Sequence, residues 1–208
     1  MGIEQIALDV YRIGMGYVSA YLIAQDEVTV IDTGLPKHRE IILKAASQAR
    51  RKREDVKHIL LTHHHADHTG SVAELMAATN ARAYIHPLDA AIIRGDKPAP
   101  GPNRDILAGR ILGPLMVRIT PKLQPIEALQ ETNDGDEVPA AGGMKAIHTP
   151  GTRRGTSRSS GRRTAEFCSR EMRSRTCFGD RGRRWARWVA CSRRTWLRRR
   201  RASGSWRS

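Results

Sequence analysis

The first 151 residues contain no cysteine, no tryptophan and no phenylalanine. Without cysteine there is no disulfide framework, and a cytoplasmic setting is the default expectation. Residues 1–9 have neither a basic opening nor a long apolar core, so no secretory signal is read there. No apolar run approaches the roughly 20 residues that a membrane-spanning helix needs, and no membrane partner is expected. No internal repeat is evident. An excess of either charge is missing too: residues 1–151 hold 17 Lys and Arg against 18 Asp and Glu, a net charge of −1. With no basic surface to attract nucleic acid, a small molecule is the expected partner, and oligomeric state stays open.

The rest of the chain reverses each of these statements. Residues 152–208 carry all three Cys, all four Trp, both Phe, 19 Arg and only three acidic residues. Their net charge is +16, so the overall value of +15 describes this segment and not the whole. Val189 and Leu197 are their only leucine or β-branched aliphatic residues. Such a segment cannot bury enough apolar surface to order itself. The expected division is therefore 1–151, part of one folded domain, and 152–208, an Arg/Ser-rich disordered tail.

Within 1–151 the apolar pattern reads as strands alternating with helices. Ile6, Leu8, Val10, Tyr11 and Ile13 predict one strand ending at Gly14. Residues 17–24 and 28–31 predict two more, joined by the polar turn Gln25-Asp26-Glu27. Asp32-Thr33-Gly34 closes the third, and Pro36 suits the first turn of a helix with Ile41, Ile42, Ala45 and Ala49 on its apolar face. The run Arg50-Arg51-Lys52-Arg53 reads as a solvated helix end favoured by the dipole. Residues 57–62 predict a strand buried on both faces. Ser71 with Glu74 forms a capping-box pattern for a helix stopping at Asn80, and residues 81–86 predict a further strand. Residues 87–122, irregular and with Pro98, Pro100, Pro102 and Pro114, read as a lid or substrate loop. Residues 144–148 are the last strand predicted. The alternation, with polar loops at strand C-terminal ends, indicates an α/β layered fold.

The chemistry sits in Thr62-His63-His64-His65-Ala66-Asp67-His68-Thr69-Gly70, four histidines and a carboxylate in six residues behind Ile59-Leu60-Leu61. Neutral imidazoles and a carboxylate are the ligands that a zinc-like ion takes. In a tight loop His63 and His65 point the same way and share one ion, while Asp67 and His68 turn toward a second. Two ions about 3.5–4 Å apart bind a bridging hydroxide and polarise a substrate carbonyl or phosphoryl oxygen. A chance His-rich tract rarely has an embedded Asp, a strand in front and a capped helix behind.

This stretch resembles the signature of the metallo-β-lactamase-fold hydrolases. Val30-Ile31-Asp32-Thr33-Gly34 resembles the family's earlier strand-end motif, and Asp136 and His148-Thr149-Pro150-Gly151 fit its order. The resemblance covers residues 6–151. It implies an αββα four-layer sandwich with two divalent ions at the sheet edges, usually zinc, with iron or manganese as alternatives. By that resemblance His63 and His65 belong to the first ion, and Asp67 and His68 to the second. Asp67 also orients the attacking water, and Asp32 supports the histidine loop from behind; a plain turn former before Gly34 is the alternative for Asp32. His64 points away. The implied activity is hydrolysis of a small ester, thioester, lactone or amide by a metal-bound hydroxide, with glyoxalase-II-like thioesterases as the nearest group.

The pattern breaks after Gly151. The family places its third histidine for the first ion directly after Thr-Pro-Gly, where this chain has Thr152. Loss of one nucleotide at the Gly151 codon would explain it. Each intended codon then becomes the third base of one present codon plus the first two bases of the next. Thr152 gives xAC, which is histidine when the Gly151 codon ends in C, and Thr156 allows histidine likewise. Arg153 allows alanine. Phe167 gives Val or Ile, Cys168 gives Leu, and Ser169 allows Phe or Leu. Glu171 allows Gly, and Met172 gives Asp or Asn. The order apolar-Leu-apolar-x-Gly-Asp resembles the strand from which the family supplies its metal-bridging carboxylate. On this reading the written chain is impaired, with only two histidines for the first ion. The competing expectation is a non-catalytic truncated fold whose basic tail binds nucleic acid nonspecifically.

Overall fold

The computed structural model describes residues 2–99, 125–150, 163–169 and 177–178. The chain divides into two compact units, Met1–Thr132 and Asn133–Ser208.

The first unit is a seven-stranded sheet in sequence order. Its strands are β1 (Gly2–Ala7), β2 (Val10–Met15), β3 (Val18–Ala24), β4 (Val28–Ile31), β5 (Val56–Leu60), β6 (Arg82–Ile85) and β7 (Leu129–Glu131). The first four run antiparallel, and β4 through β7 run parallel. The parallel strands read as near-continuous apolar runs because both their faces are covered: all four residues of β4 are buried, and in β5 only Lys57 is exposed. Among the described residues the connecting helices are α1 (Arg39–Gln48), α2 (Ala66–Thr69), α3 (Val72–Thr79) and α4 (Pro87–Arg94). Ile42, Ala45 and Ala46 of α1, Val72 and Leu75 of α3, and Ala90 and Ile93 of α4 join one apolar core with Val28, Val30, Ile59, Leu61 and Ile85. No helix among the described residues is long and apolar enough to cross a membrane.

Four expectations need correction. The apolar alternation from Ile6 to Ile13 is two antiparallel strands, not one. Asp9 takes a left-handed φ of 57°, folding the chain back so that Leu8 is 81 % exposed at the turn. Pro36 lies ahead of α1, whose N-cap is His38. The Ser71–Glu74 capping box does not form. The Ser71 hydroxyl instead donates to the Leu35 carbonyl (2.7 Å) and accepts from His38 N–H (2.8 Å), tying the loop after β4 to α3. Pro87 opens α4 and does not begin an irregular loop, since its missing N–H and fixed φ suit a first helical position. The remainder of the expected lid, residues 100–122, lies outside the described residues. Asn80 ends α3 in the left-handed region (φ 56°) as expected. Of the basic run, Arg51 reaches the Ala24 carbonyl (3.1 Å) and stands 3.9 Å from Asp26, at the turn after β3.

The second unit holds β8 (Glu137–Val138), β9 (Met144–Pro150), β10 (Arg163–Ser169) and β11 (Cys177–Phe178), an antiparallel sheet in the order β11-β10-β9-β8. Both β10 and β11 lie within the Arg-rich segment 152–208. A ladder needs only backbone N–H and C=O groups, and β9 offers β10 a full seven-residue edge, from Pro150 opposite Arg163 to Met144 opposite Ser169. His148 lies within β9, as the motif order indicated, and its N–H donates to Asp134 (3.0 Å).

Candidate metal centre

Three neighbouring parallel strands deliver the polar residues. Asp32 follows β4, the histidine loop follows β5, and His86 to Asp89 follow β6, so sequence segments far apart converge at one sheet end. Ligands gather at such carboxyl ends because the diverging strands leave a crevice there.

Asp32 is buried (6 % exposed) and holds the loop together. Its Oδ1 accepts from Thr62 N–H (2.9 Å), and the Thr62 hydroxyl donates to the carboxylate as well (2.9 Å to Oδ2). His68 Nδ1 lies 2.8 Å from Oδ2. A carboxylate only accepts, so Nδ1 of His68 carries a proton, and in the neutral ring Nε2 keeps the lone pair. The Thr62 hydroxyl proton is committed to Asp32, so its oxygen accepts from His63 Nδ1, 3.0 Å away. Nε2 is then the basic nitrogen of His63 too. One buried carboxylate thereby fixes two imidazole tautomers, the arrangement found behind metal-binding histidines.

The rings themselves are in contact. Centroids of His63 and His68 are 4.1 Å apart, and those of His63 and His65 4.6 Å. Burial, reinforced by His68 beside it, pushes the His63 imidazole down to about 3, so it is neutral at any physiological pH. His65 caps α2, and Asp67 in the first turn of α2 places its Oδ2 3.9 Å from His68 Nε2. His64 turns to Asp89 on α4, a residue that no spacing pattern in the sequence marks.

Two glycines make the close approach possible. Thr33 N–H donates to the His68 carbonyl (2.7 Å), and Gly70 N–H to the Gly34 carbonyl (2.8 Å), clamping the Asp32 loop onto the histidine loop. A Cβ on Gly70 would overlap Pro36 N, Ala66 O and Leu35 C, all of them backbone atoms that cannot swing aside. Gly70→Ala is therefore expected to destabilise the protein by about 3 kcal/mol, the upper range for overpacking. Urea denaturation measures it, and a loss below 1 kcal/mol on the order set by surface changes would contradict the clamp.

The donor chemistry fits a zinc-type ion: neutral imidazoles whose outer nitrogens are basic, and a nearby carboxylate. Among the described residues, however, no three His, Cys, Asp or Glu side chains converge closely enough to hold an ion unaided. Thr152, where the family's next histidine was expected, lies outside the described residues.

A sequence model of the metallo-beta-lactamase superfamily matches residues 13–161. The chain belongs to that superfamily. It is 31 % identical over 125 residues to the "Probable metallo-hydrolase YflN" of Bacillus subtilis, a match covering 59 % of this chain and 46 % of that protein. Its fold is that of solved metallo-β-lactamases. The structure of SMB-1 in complex with mercaptoacetic acid superposes with a TM-score of 0.67 at 19 % identity, covering 86 % of this chain and 64 % of the other. BJP-1, a subclass B3 metallo-β-lactamase of Bradyrhizobium japonicum, superposes with a TM-score of 0.60 at 22 % identity, covering 85 % and 61 %. The chain thus spans less than half of YflN and under two thirds of these superfamily structures.

Proposed function

We propose that this chain carries the N-terminal part of the active centre of a metal-dependent hydrolase acting on a small ester, thioester, lactone or amide. The observation that carries the reading is the Asp32–Thr62–His63 and Asp32–His68 hydrogen-bond pair, which leaves Nε2 of both imidazoles basic. His63 and His65 would hold a first divalent ion, zinc by donor type, and Asp67 and His68 a second. Such ions supply Lewis acidity toward the scissile carbonyl and a water acidic enough to attack at neutral pH. Asp67 orients that water, and Asp32 holds the histidine loop at fixed tautomers. The near-neutral charge of residues 1–151 supports a small substrate over a polymeric anion.

Superfamily membership and the half-length match support a further part of the reading. Residues 152–208 are out-of-frame translation, and the missing ligands lie in the other frame. The β10 ladder does not oppose this, because backbone pairing is indifferent to which side chains the strand carries.

The test is metal content. Protein of this sequence titrated with zinc is expected to bind it at the histidine loop, and His65→Ala to bind about tenfold or more weakly. Wild-type protein that binds no divalent metal would overturn the reading.

A further inference from the structure

We propose that Asp89 is a positioning residue for the metal-binding loop, acting through His64 to hold His63 and His65 in their facing arrangement. The inference rests on the metal-centre reading above. Asp89 sits in the first turn of α4, 3 % exposed. Its Oδ1 accepts twice from the one residue that separates the two ligands: from His64 Nδ1 (2.5 Å) and from His64 backbone N–H (3.3 Å). Side chains 63 and 65 share a direction only while 64 takes the other, so fixing His64 at both main chain and ring fixes the alternation. The facing His63 and His65 rings stand 4.6 Å apart between centroids.

The post to which the loop is tied is itself rigid. Ala90 and Ile93 anchor α4 in the core, and Arg94 pairs with Glu131 and donates to the Leu129 carbonyl (3.2 Å), both on β7. The simpler role for Asp89, an acidic residue serving the start of its own helix, does not account for this geometry. His86 Nδ1 already accepts from Leu88 N–H (3.3 Å), and Oδ1 of Asp89 faces the histidine loop instead. Oδ2 is buried with no hydrogen-bond partner among the described residues. A buried carboxylate half-satisfied is a poor stabilising device, which leaves the tie to the histidine loop as its visible role.

Zinc dissociation constants by chelator competition, cobalt absorption spectra and apo-protein melting should be measured on the full chain. The variants are Asp89→Ala, Asp89→Asn, His64→Ala and the Asp89→Ala/His64→Ala double. Asp89→Ala is expected to weaken zinc by about 10- to 100-fold, the range for outer partners of metal ligands, and to shift the cobalt spectrum. Asp89→Asn keeps an acceptor oxygen and should retain most of the affinity. In the His64→Ala background only the main-chain hydrogen bond to Asp89 remains, so removing Asp89 should cost clearly less affinity than in the wild type, whereas a merely structural Asp89 would weaken zinc equally in both backgrounds and lower melting in proportion. Wild-type affinity in Asp89→Ala, or equal losses in both backgrounds, would overturn the proposal. If Asp89→Ala does not fold by circular dichroism, Asp89→Asn and His64→Ala decide: His64→Ala with wild-type affinity and spectrum overturns it. A parent protein that binds no zinc sinks the metal reading and this one together, while bound zinc indifferent to Asp89 sinks this one alone.

Discussion

A gene with one nucleotide restored at the Gly151 codon is expected to give a protein that hydrolyses a thioester or lactone probe at least about a thousandfold faster than the chain as written. The magnitude follows from what the written frame lacks. A catalytic zinc takes three protein ligands, and on the proposed reading only His63 and His65 would serve the first ion. The described residues bring no three donors to one point. A thousandfold is about 4 kcal/mol of transition-state stabilisation, within the several kcal/mol that a properly held ion supplies. The code sets the restored residues narrowly: His is allowed at Thr152 and Thr156, Leu is required at Cys168, and Asp or Asn at Met172. Sequencing the coding DNA tests this part without any assay. Steady-state rates of the two purified proteins test the rest, and equal turnover would end the frame argument. So would a restored frame that lacks apolar-Leu-apolar-x-Gly-Asp.

Much of the first unit was legible because its signals are local. The polar turn before Val28, the apolar run into Thr62 and the left-handed Asn80 each announce an element within a few residues. The β1–β2 hairpin was not, since period-two alternation continues straight through Leu8 and only a positive φ at Asp9 reverses the chain. Ser71 has the sequence of a helix cap but spends its hydroxyl on Leu35 and His38, partners 36 and 33 residues distant. Asp89 is invisible for the same reason: its partner His64 is 25 residues away and belongs to the preceding strand's loop. The motif names the histidines, and only tertiary structure shows what aims them.

Asp32 separates a motif that marks the site from a side chain that builds it. Asp32→Ala is expected to lower stability by about 3–5 kcal/mol and to abolish zinc retention, the penalty typical of removing one partner from a buried charged network. Three donors lose their acceptor at once: Thr62 N–H, the Thr62 hydroxyl and His68 Nδ1. Each orphaned buried donor costs about 1–3 kcal/mol. Alanine also fits poorly at φ 59°, a left-handed conformation that Asp tolerates. Asp32→Asn isolates the carboxylate, because it keeps the backbone preference and one acceptor oxygen. Its amide N–H would still face a donor, either the Thr62 hydroxyl or His68 Nδ1. Asn should therefore fall between wild type and Ala in stability. Zinc retention should fall with Asn almost as far as with Ala, since one imidazole is free to take the wrong tautomer. Urea denaturation and metal analysis of the two variants separate these effects. If Asp32 were only a turn former before Gly34, Asn would match wild type in both measurements, and the hydrogen-bond route from Asp32 to His63 and His68 would have no part in the site.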